Sequence, residues 1–173
     1  LNGAISSQIL TGILIASPLA LNDTTILVRD LKSKPYIDMT LQIMSDFGVE
    51  ALHNDYETFT IKSGQKYSAR ELTADGDWSG AAFLLVAGAL GGSVTIENLS
   101  TDSKQADRAI LKILEDAGAI VTVDTEKVRV TKNELNAFKF DATESPDLFP
   151  PLVALAVNCS GVSEIKGVWR LKH

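Results

Sequence analysis

The chain has 173 residues, 45% of them apolar, which is enough for one or two packed domains and argues against disorder. A formal net charge of −6 argues against broad binding to nucleic acid or anionic membrane, so an anionic ligand needs a local cluster of Lys or Arg. Cys159 is the only cysteine, which excludes an internal disulfide and a cysteine metal cage, and neither His53 nor His173 sits in a metal-ligand spacing.

In chain order, the first predicted element is the apolar helix in "AISSQILTGILIASPLAL", Ala4 to Leu21. The run is too short to span a bilayer and lacks the basic start of a signal peptide, so it reads as a buried helix. Two hydroxyls and an amide, Ser6, Ser7 and Gln8, stand at its head. Such residues cap free N–H groups of a first turn, and they also fit an anion held at the positive end of the helix dipole. The residues alone leave both readings open. A strand "TTILV" (24–28) follows, then Ser33-Lys34 ahead of a helix with Ile37, Leu41 and Met44 at helical spacing, stopped by Gly48. The alternating run "ETFTIK" (57–62) predicts a strand with one buried face. Then comes an irregular acidic stretch, "SARELTADGDW" (68–78), which marks a domain boundary near Ala74.

Beyond the boundary the pattern starts again. A shift of 70 residues lays 37–62 on 107–132, pairing Ile43 with Ile113, Asp46 with Asp116, Gly48 with Gly118 and Lys62 with Lys132. The same shift lays Ser33-Lys34 on Ser103-Lys104, and it puts Ser7, Asp77 and Asp147 in equivalent places at the starts of three apolar helices. Strands are predicted at "SVTIEN" (93–98), "KVRVTK" (127–132) and "VSEIKGV" (162–168). Each unit therefore reads helix, strand, helix, strand, strand, which in circular order is a βαβαββ module of mixed α/β class. The apolar neighbours of Cys159 in "VALAVNCSG" predict an inert buried thiol. The chain begins with Leu and stops on "VWRLKH", and it is read as a piece of a longer protein.

Three segments in order, "SSQILTGILIASPLAL", "SKPYIDMTLQIMSDFGV" and "SPDLFPPLVALA", resemble the EPSP synthases, the 5-enolpyruvylshikimate-3-phosphate synthases of the shikimate pathway. "ADGDWSGAAFLLVAGAL" and the "KQAD" turn agree less specifically. The resemblance implies the enolpyruvyl transferase fold, six βαβαββ units in two lobes. Residues 1–74 would belong to the first lobe, on the shikimate 3-phosphate side, and 75–173 to the second. It implies a cytoplasmic, monomeric parent enzyme of aromatic amino-acid biosynthesis with no metal or organic cofactor. That enzyme joins phosphoenolpyruvate to the 5-hydroxyl of shikimate 3-phosphate and releases phosphate, and it has no nucleic-acid or membrane partner.

Carried over by position, Ser6, Ser7 and Ser33 match residues that bind the phosphate of shikimate 3-phosphate, and Gln8 and Tyr36 match neighbours of the shikimate ring. Asp147 matches a carboxylate that bonds the shikimate hydroxyls and is implicated in proton transfer. With the resemblance, the anion reading of Ser6 and Ser7 outweighs the plain cap. Read by itself, Asp147 is equally an acid placed to suit a helix dipole, Tyr36 a packing residue and Lys34 a solvated lysine. Asp77 is read as structural. The family's amino-terminal lysine motif, its "NAGT"-type segment and its Lys-Glu-Ser/Thr-Asp-Arg motif are not in these residues, so the fragment alone is expected to be inactive. Ala106 stands where the family often has Gly, and Trp78 where it has a small residue. Two other readings remain: the related UDP-N-acetylglucosamine enolpyruvyl transferase, and a non-catalytic repeat-built interaction domain.

Overall fold

A computed structural model describes residues 1–125 and 127–172 and divides the chain into two compact units, Leu1–Thr73 and Ala74–His173. In the first unit, helix α1 (Ser7–Ala16) runs through a short 3-10 turn (Ser17–Leu19) to strand β1 (Thr24–Leu27). Helix α2 (Lys34–Asp46) and the hairpin of β2 (Ala51–Asn54) and β3 (Thr58–Ile61) follow. The sheet order is β1-β3-β2, with both pairings antiparallel. The start of the chain adds a parallel bridge, Asn2 to Arg29, at the end of β1. That bridge supplies the first element of the expected module.

The second unit repeats the order. Helix α3 (Trp78–Gly91) leads to β4 (Ser93–Glu97), then to a 3-10 turn (Ala106–Ala109) running into α4 (Ile110–Asp116), then to β5 (Ile120–Val123) and β6 (Lys127–Thr131). Its sheet order, β4-β6-β5, is again antiparallel. A third copy begins with β7 (Lys139–Asp141), passes through a 3-10 turn (Pro146–Leu148) and α5 (Phe149–Ala156), and returns in β8 (Glu164–Lys166). β7 and β8 pair in parallel, which requires a crossover, and α5 provides it. The fold is thus the mixed α/β repeat expected, with β7 as a short strand that the apolar pattern did not single out.

Glycine explains why both copies turn at the same place. Gly48 lies at φ +82° and Gly118 at φ +97°, a region that L side chains avoid. Gly48 N–H donates to Ser45 O at 2.9 Å and Val49 N–H to Met44 O at 2.9 Å. Gly118 N–H donates to Glu115 O at 2.9 Å and Ala119 N–H to Leu114 O at 2.9 Å. These are the paired bonds of a Schellman stop, and they satisfy the last carbonyls of α2 and α4 alike. The next residue is buried in each copy, Val49 and Ala119, so the stop also docks the outgoing chain on the core.

Each unit has its own core. In the first, Leu10, Leu14, Ile26, Ile37, Met44, Phe59 and Ile61 are buried together; in the second, Trp78, Leu85, Ile110, Leu114, Val128, Val130 and Leu152 belong to another cluster. The alternation expected of the hairpin strands is present, with Phe59 and Ile61 inward on β3 and Val128 and Val130 inward on β6. The expectation of a buried first helix needs correction. Leu10 and Leu14, one turn apart, face the core, whereas Ile9, Ile13 and Ile15 are exposed. The repeat is also not symmetrical in packing, since Ile113 is buried while its partner Ile43 is exposed. Trp78 fills the core of the second unit where a small residue was expected for the family. Its indole N–H donates to Ser100 O at 3.2 Å, so a large ring is accommodated with its polar atom satisfied.

Candidate functional site

The geometry of the first unit brings two helix starts to one edge. Gly3 N–H donates to Arg29 O at 2.8 Å and Lys32 N–H to Gly3 O at 3.4 Å, so the opening segment runs beside the segment that leaves β1. A Cβ on Gly3 would lie 2.7 Å from Leu31 Cα, so only glycine allows this approach. The two parallel segments then pass into α1 and α2, and helices that follow parallel strands start at the same edge of a sheet. The helices pack on each other, and Thr11 Oγ1 lies 2.9 Å from Thr40 Oγ1 across them. Thr40 Oγ1 is also bonded to Tyr36 O at 2.9 Å, so the start of α2 is tied to α1.

On this edge stand five of the six residues singled out from sequence. Ser6 is the N-cap of α1, and its Oγ accepts from Gln8 N–H at 3.2 Å. Ser7 is the first residue of the helix and half-buried, and the Gln8 side chain is exposed. Ser33 is the N-cap of α2 but differs from Ser6 in two ways. Its backbone is left-handed, at φ 55° and ψ 43°, and its side chain does not cap the helix. It is buried, with 4% of its surface exposed. A buried non-glycine residue in that conformation costs on the order of 1 kcal/mol and is held only by its surroundings. Tyr36, in the first turn of α2, is half-buried with its hydroxyl oxygen inside.

The second unit holds Asp147, exposed in the 3-10 turn that follows β7 and enters α5. Its counterpart Asp77 caps α3: Oδ1 accepts from Ser79 N–H at 3.0 Å and Oδ2 from Gly80 N–H at 3.1 Å. Among the described residues, the Asp147 carboxylate makes no such capping bonds, so the two repeat-related acids are used differently. A hydrogen-bonded knot fixes the α3 start. Gln105 Oε1 accepts from Trp78 N–H at 2.9 Å, its Nε2 donates to Gly76 O at 2.9 Å, and Ser79 Oγ donates to the fully buried carboxylate of Asp107. Ser103, the repeat partner of Ser33, is spent in this turn, accepting from Gln105 N–H at 3.3 Å. Cys159 is half-buried, its Sγ bonded to Leu155 O at 3.3 Å, and burial pushes its thiol pKa up, which suits an unreactive thiol.

A cluster beside Ser33 escaped the sequence reading. Lys34 Nζ lies 5.0 Å from the centroid of the Tyr56 ring, whose hydroxyl donates to Asp38 Oδ1 at 2.8 Å. The His53 ring lies 4.4 Å from the Tyr56 ring. Lys34 and Asp38 share a helix face by their spacing of four, but Tyr56 comes from the β2–β3 turn, and no local pattern announces that meeting. Among the described residues, no group of three or more His, Cys, Asp or Glu side chains could hold a metal ion, and no helix is long and apolar enough to cross a membrane.

Solved structures share the fold of this chain. An EPSP synthase from Acinetobacter baumannii superposes with a TM-score of 0.71 over 96% of this chain and 41% of that one, at 22% sequence identity. The enolpyruvyl transferase NikO from Streptomyces tendae superposes at 0.62 over 88% of this chain and 38% of that one, at 18% identity. The fold is that of the enolpyruvyl transferases. The EPSP synthase (3-phosphoshikimate 1-carboxyvinyltransferase) family model matches residues 1–173, and the chain belongs to that family. A 3-phosphoshikimate 1-carboxyvinyltransferase of Erwinia tasmaniensis is 40% identical over 99% of this chain and 41% of its own length. One from Methanothrix thermoacetophila is 42% identical over 100% of this chain and 41% of its own length. The chain therefore spans about two fifths of the length of the curated relatives it matches.

Proposed function

We propose that the chain supplies part of the active site of an enzyme that transfers the enolpyruvyl group of phosphoenolpyruvate to the 5-hydroxyl of shikimate 3-phosphate, releasing phosphate. The observation that carries this reading is the family match over residues 1–173, with relatives named for the reaction at about 40% identity. In this reading the first unit is part of the lobe that binds shikimate 3-phosphate and the second is part of the other lobe. Ser6, Ser7 and Ser33 hold the phosphate. Both helix starts at this edge point N–H donors and a positive dipole end outward, which complements a dianion without a large basic surface. Ser33 stands at the start of α2 without capping it, a position from which a hydroxyl and a helix start can serve one anion. Gln8 and Tyr36 lie one and three residues beyond serines of this set, at positions to line the shikimate ring.

Asp147 moves a proton. Enolpyruvyl transfer by addition and elimination needs a proton taken from the 5-hydroxyl, one given to the methylene carbon of phosphoenolpyruvate, and one taken back from that carbon as phosphate leaves, and a carboxylate in a proline-braced turn is a positioned acid–base group. The enzyme acts in the cytoplasm as a monomer, with shikimate 3-phosphate and phosphoenolpyruvate as its small-molecule partners. Titration of the full-length protein tests the assignment. Shikimate 3-phosphate should bind and a UDP-sugar should not. Preference for UDP-N-acetylglucosamine would move the chain to the related transferase, and binding of neither would leave an interaction module.

A further inference from the structure

Lys34 occupies a place where a cation is not wanted. It is the first residue of α2, at the positive end of the helix dipole, where a basic side chain is disfavoured. The fold holds it there from outside the helix. Its ammonium stands over the face of Tyr56, 5.0 Å from the ring centroid. The ring is held at its hydroxyl and against the His53 ring, and the Tyr56 backbone is held as well. Tyr56 Oη donates to Asp38 Oδ1 at 2.8 Å, Tyr56 N–H donates to His53 Nδ1 at 3.3 Å, and the His53 ring lies against it at 4.4 Å. The turn that presents it is also fixed: Asp55 and Tyr56 both have positive φ, 47° and 60°, and Glu57 N–H closes on Asn54 O at 2.9 Å. The bond to Asp38 and partial burial both raise the Tyr56 pKa, so the hydroxyl stays a donor at neutral pH.

We propose that Tyr56 is a positioning residue for substrate binding: the β2–β3 turn holds the Lys34 charge and the first turn of α2 in place beside Ser33, and so sets the affinity of this edge for a phosphate monoester. The inference rests on the assignment of Ser33 to the phosphate of shikimate 3-phosphate. A pinned ammonium beside a helix start adds fixed positive potential for an anion in a chain whose net charge is −6. It also means that the ordering of Lys34 is complete before the substrate arrives. In this proposal Tyr56 is not itself a substrate contact. Its effect passes through Lys34 and Asp38.

The test uses the full-length enzyme and shikimate 3-phosphate as the probe, with binding by calorimetry and steady-state kinetics for both substrates. Tyr56→Leu should raise the dissociation constant for shikimate 3-phosphate about two- to fivefold, the size of a partly exposed cation–ring contact. The KM for phosphoenolpyruvate and kcat should move less than that. Tyr56→Phe keeps the ring under the ammonium and should lose less affinity. Lys34→Met, at an exposed position that leaves the fold intact, should reproduce the loss, flatten the dependence of binding on ionic strength, and make Tyr56→Leu nearly silent in the double mutant. Unchanged binding in Tyr56→Leu, additive losses in the double mutant, or equal rises in both KM values would reduce the cluster to packing and overturn the proposal. If the wild-type enzyme binds no shikimate 3-phosphate, the functional assignment fails first and takes this inference with it; wild-type binding with silent variants defeats the inference alone.

Discussion

Ser6 and Ser33 both precede a helix, yet only Ser6 acts as a cap, and the difference lies in the backbone. A cap involves residues two or three apart, so "SSQ" before an apolar run makes it legible in sequence. Near the left-handed Ser33, Gly3 approaches Leu31 from a segment distant in the chain, and no local pattern encodes that meeting. The Tyr56–Lys34 contact was illegible for the same reason, since it joins a turn to a helix start 22 positions apart in the chain. Asp147 and Asp77 carry the same contrast in the second unit. Asp77 is occupied by two backbone N–H groups, so Asp77→Ala should destabilise by about 1 kcal/mol, the ordinary worth of a cap. Denaturant midpoints measure it. Among the described residues Asp147 makes no capping bonds of that kind, and as the proposed general acid–base group its replacement should act on rate. Asp147→Asn in the full-length enzyme should lower kcat roughly 10²–10⁴-fold with a smaller change in substrate binding. Near-normal turnover would return Asp147 to the role of an acid that merely suits a helix start.

At the scale of elements, the seventy-residue repeat was the most readable feature because the devices that end helices are short and chemical. Gly48 and Gly118 stop α2 and α4 with the same pair of hydrogen bonds, and the strands after them alternate with the same buried face. What the pattern could not supply was partnership. β7 is three residues long, and its parallel pairing with β8 arises across the whole of α5. The two glycines are equal in backbone demand and unequal in surroundings, which yields a graded prediction. An added Cβ at Gly48 would meet Ser68 Oγ at 3.3 Å, a side chain that can turn aside. At Gly118 it would meet the backbone carbonyl of Glu134 at 2.7 Å, which cannot. Gly48→Ala should cost about 1–2 kcal/mol for the left-handed conformation, and Gly118→Ala visibly more. Equal denaturant midpoints for the two variants would show that the Glu134 segment yields freely.

For the molecule as a whole, each unit carries an exposed ion pair where two strands of its three-stranded sheet meet, β1 with β3 and β4 with β6. Asp23, just before β1, bonds Lys62, just after β3, at 2.7 Å; Glu97 on β4 bonds Lys127 on β6 at 2.7 Å, directly opposite it in register. The charge count was legible from composition, but which charges meet follows from sheet register, and register appears only with the fold. The Lys62 bond, helped by Ser63 N–H, holds the Asp23 carboxyl below its ordinary value of 3.8, and the Lys127 bond holds Glu97 below 4.5. The hydroxyl and N–H of Thr143 lower Asp141 likewise. A carboxyl whose folded pKa lies below its unfolded one contributes stability that is present above the unfolded value and lost as the pH falls through the folded one. The same bonds raise Lys62 and Lys127 above 10.5, so their contribution also fades at the alkaline end as the pH rises through the raised lysine values. Stability should therefore be level near neutrality and fall below about pH 4. Because both pairs are solvent-exposed, each effect should be small and should shrink in 1 M salt. Urea midpoints at pH 7 and pH 3 decide the point: Asp23→Asn and Glu97→Gln should each narrow the gap between the two, and a gap as wide as the wild type's in both variants would place the acid sensitivity elsewhere in the chain.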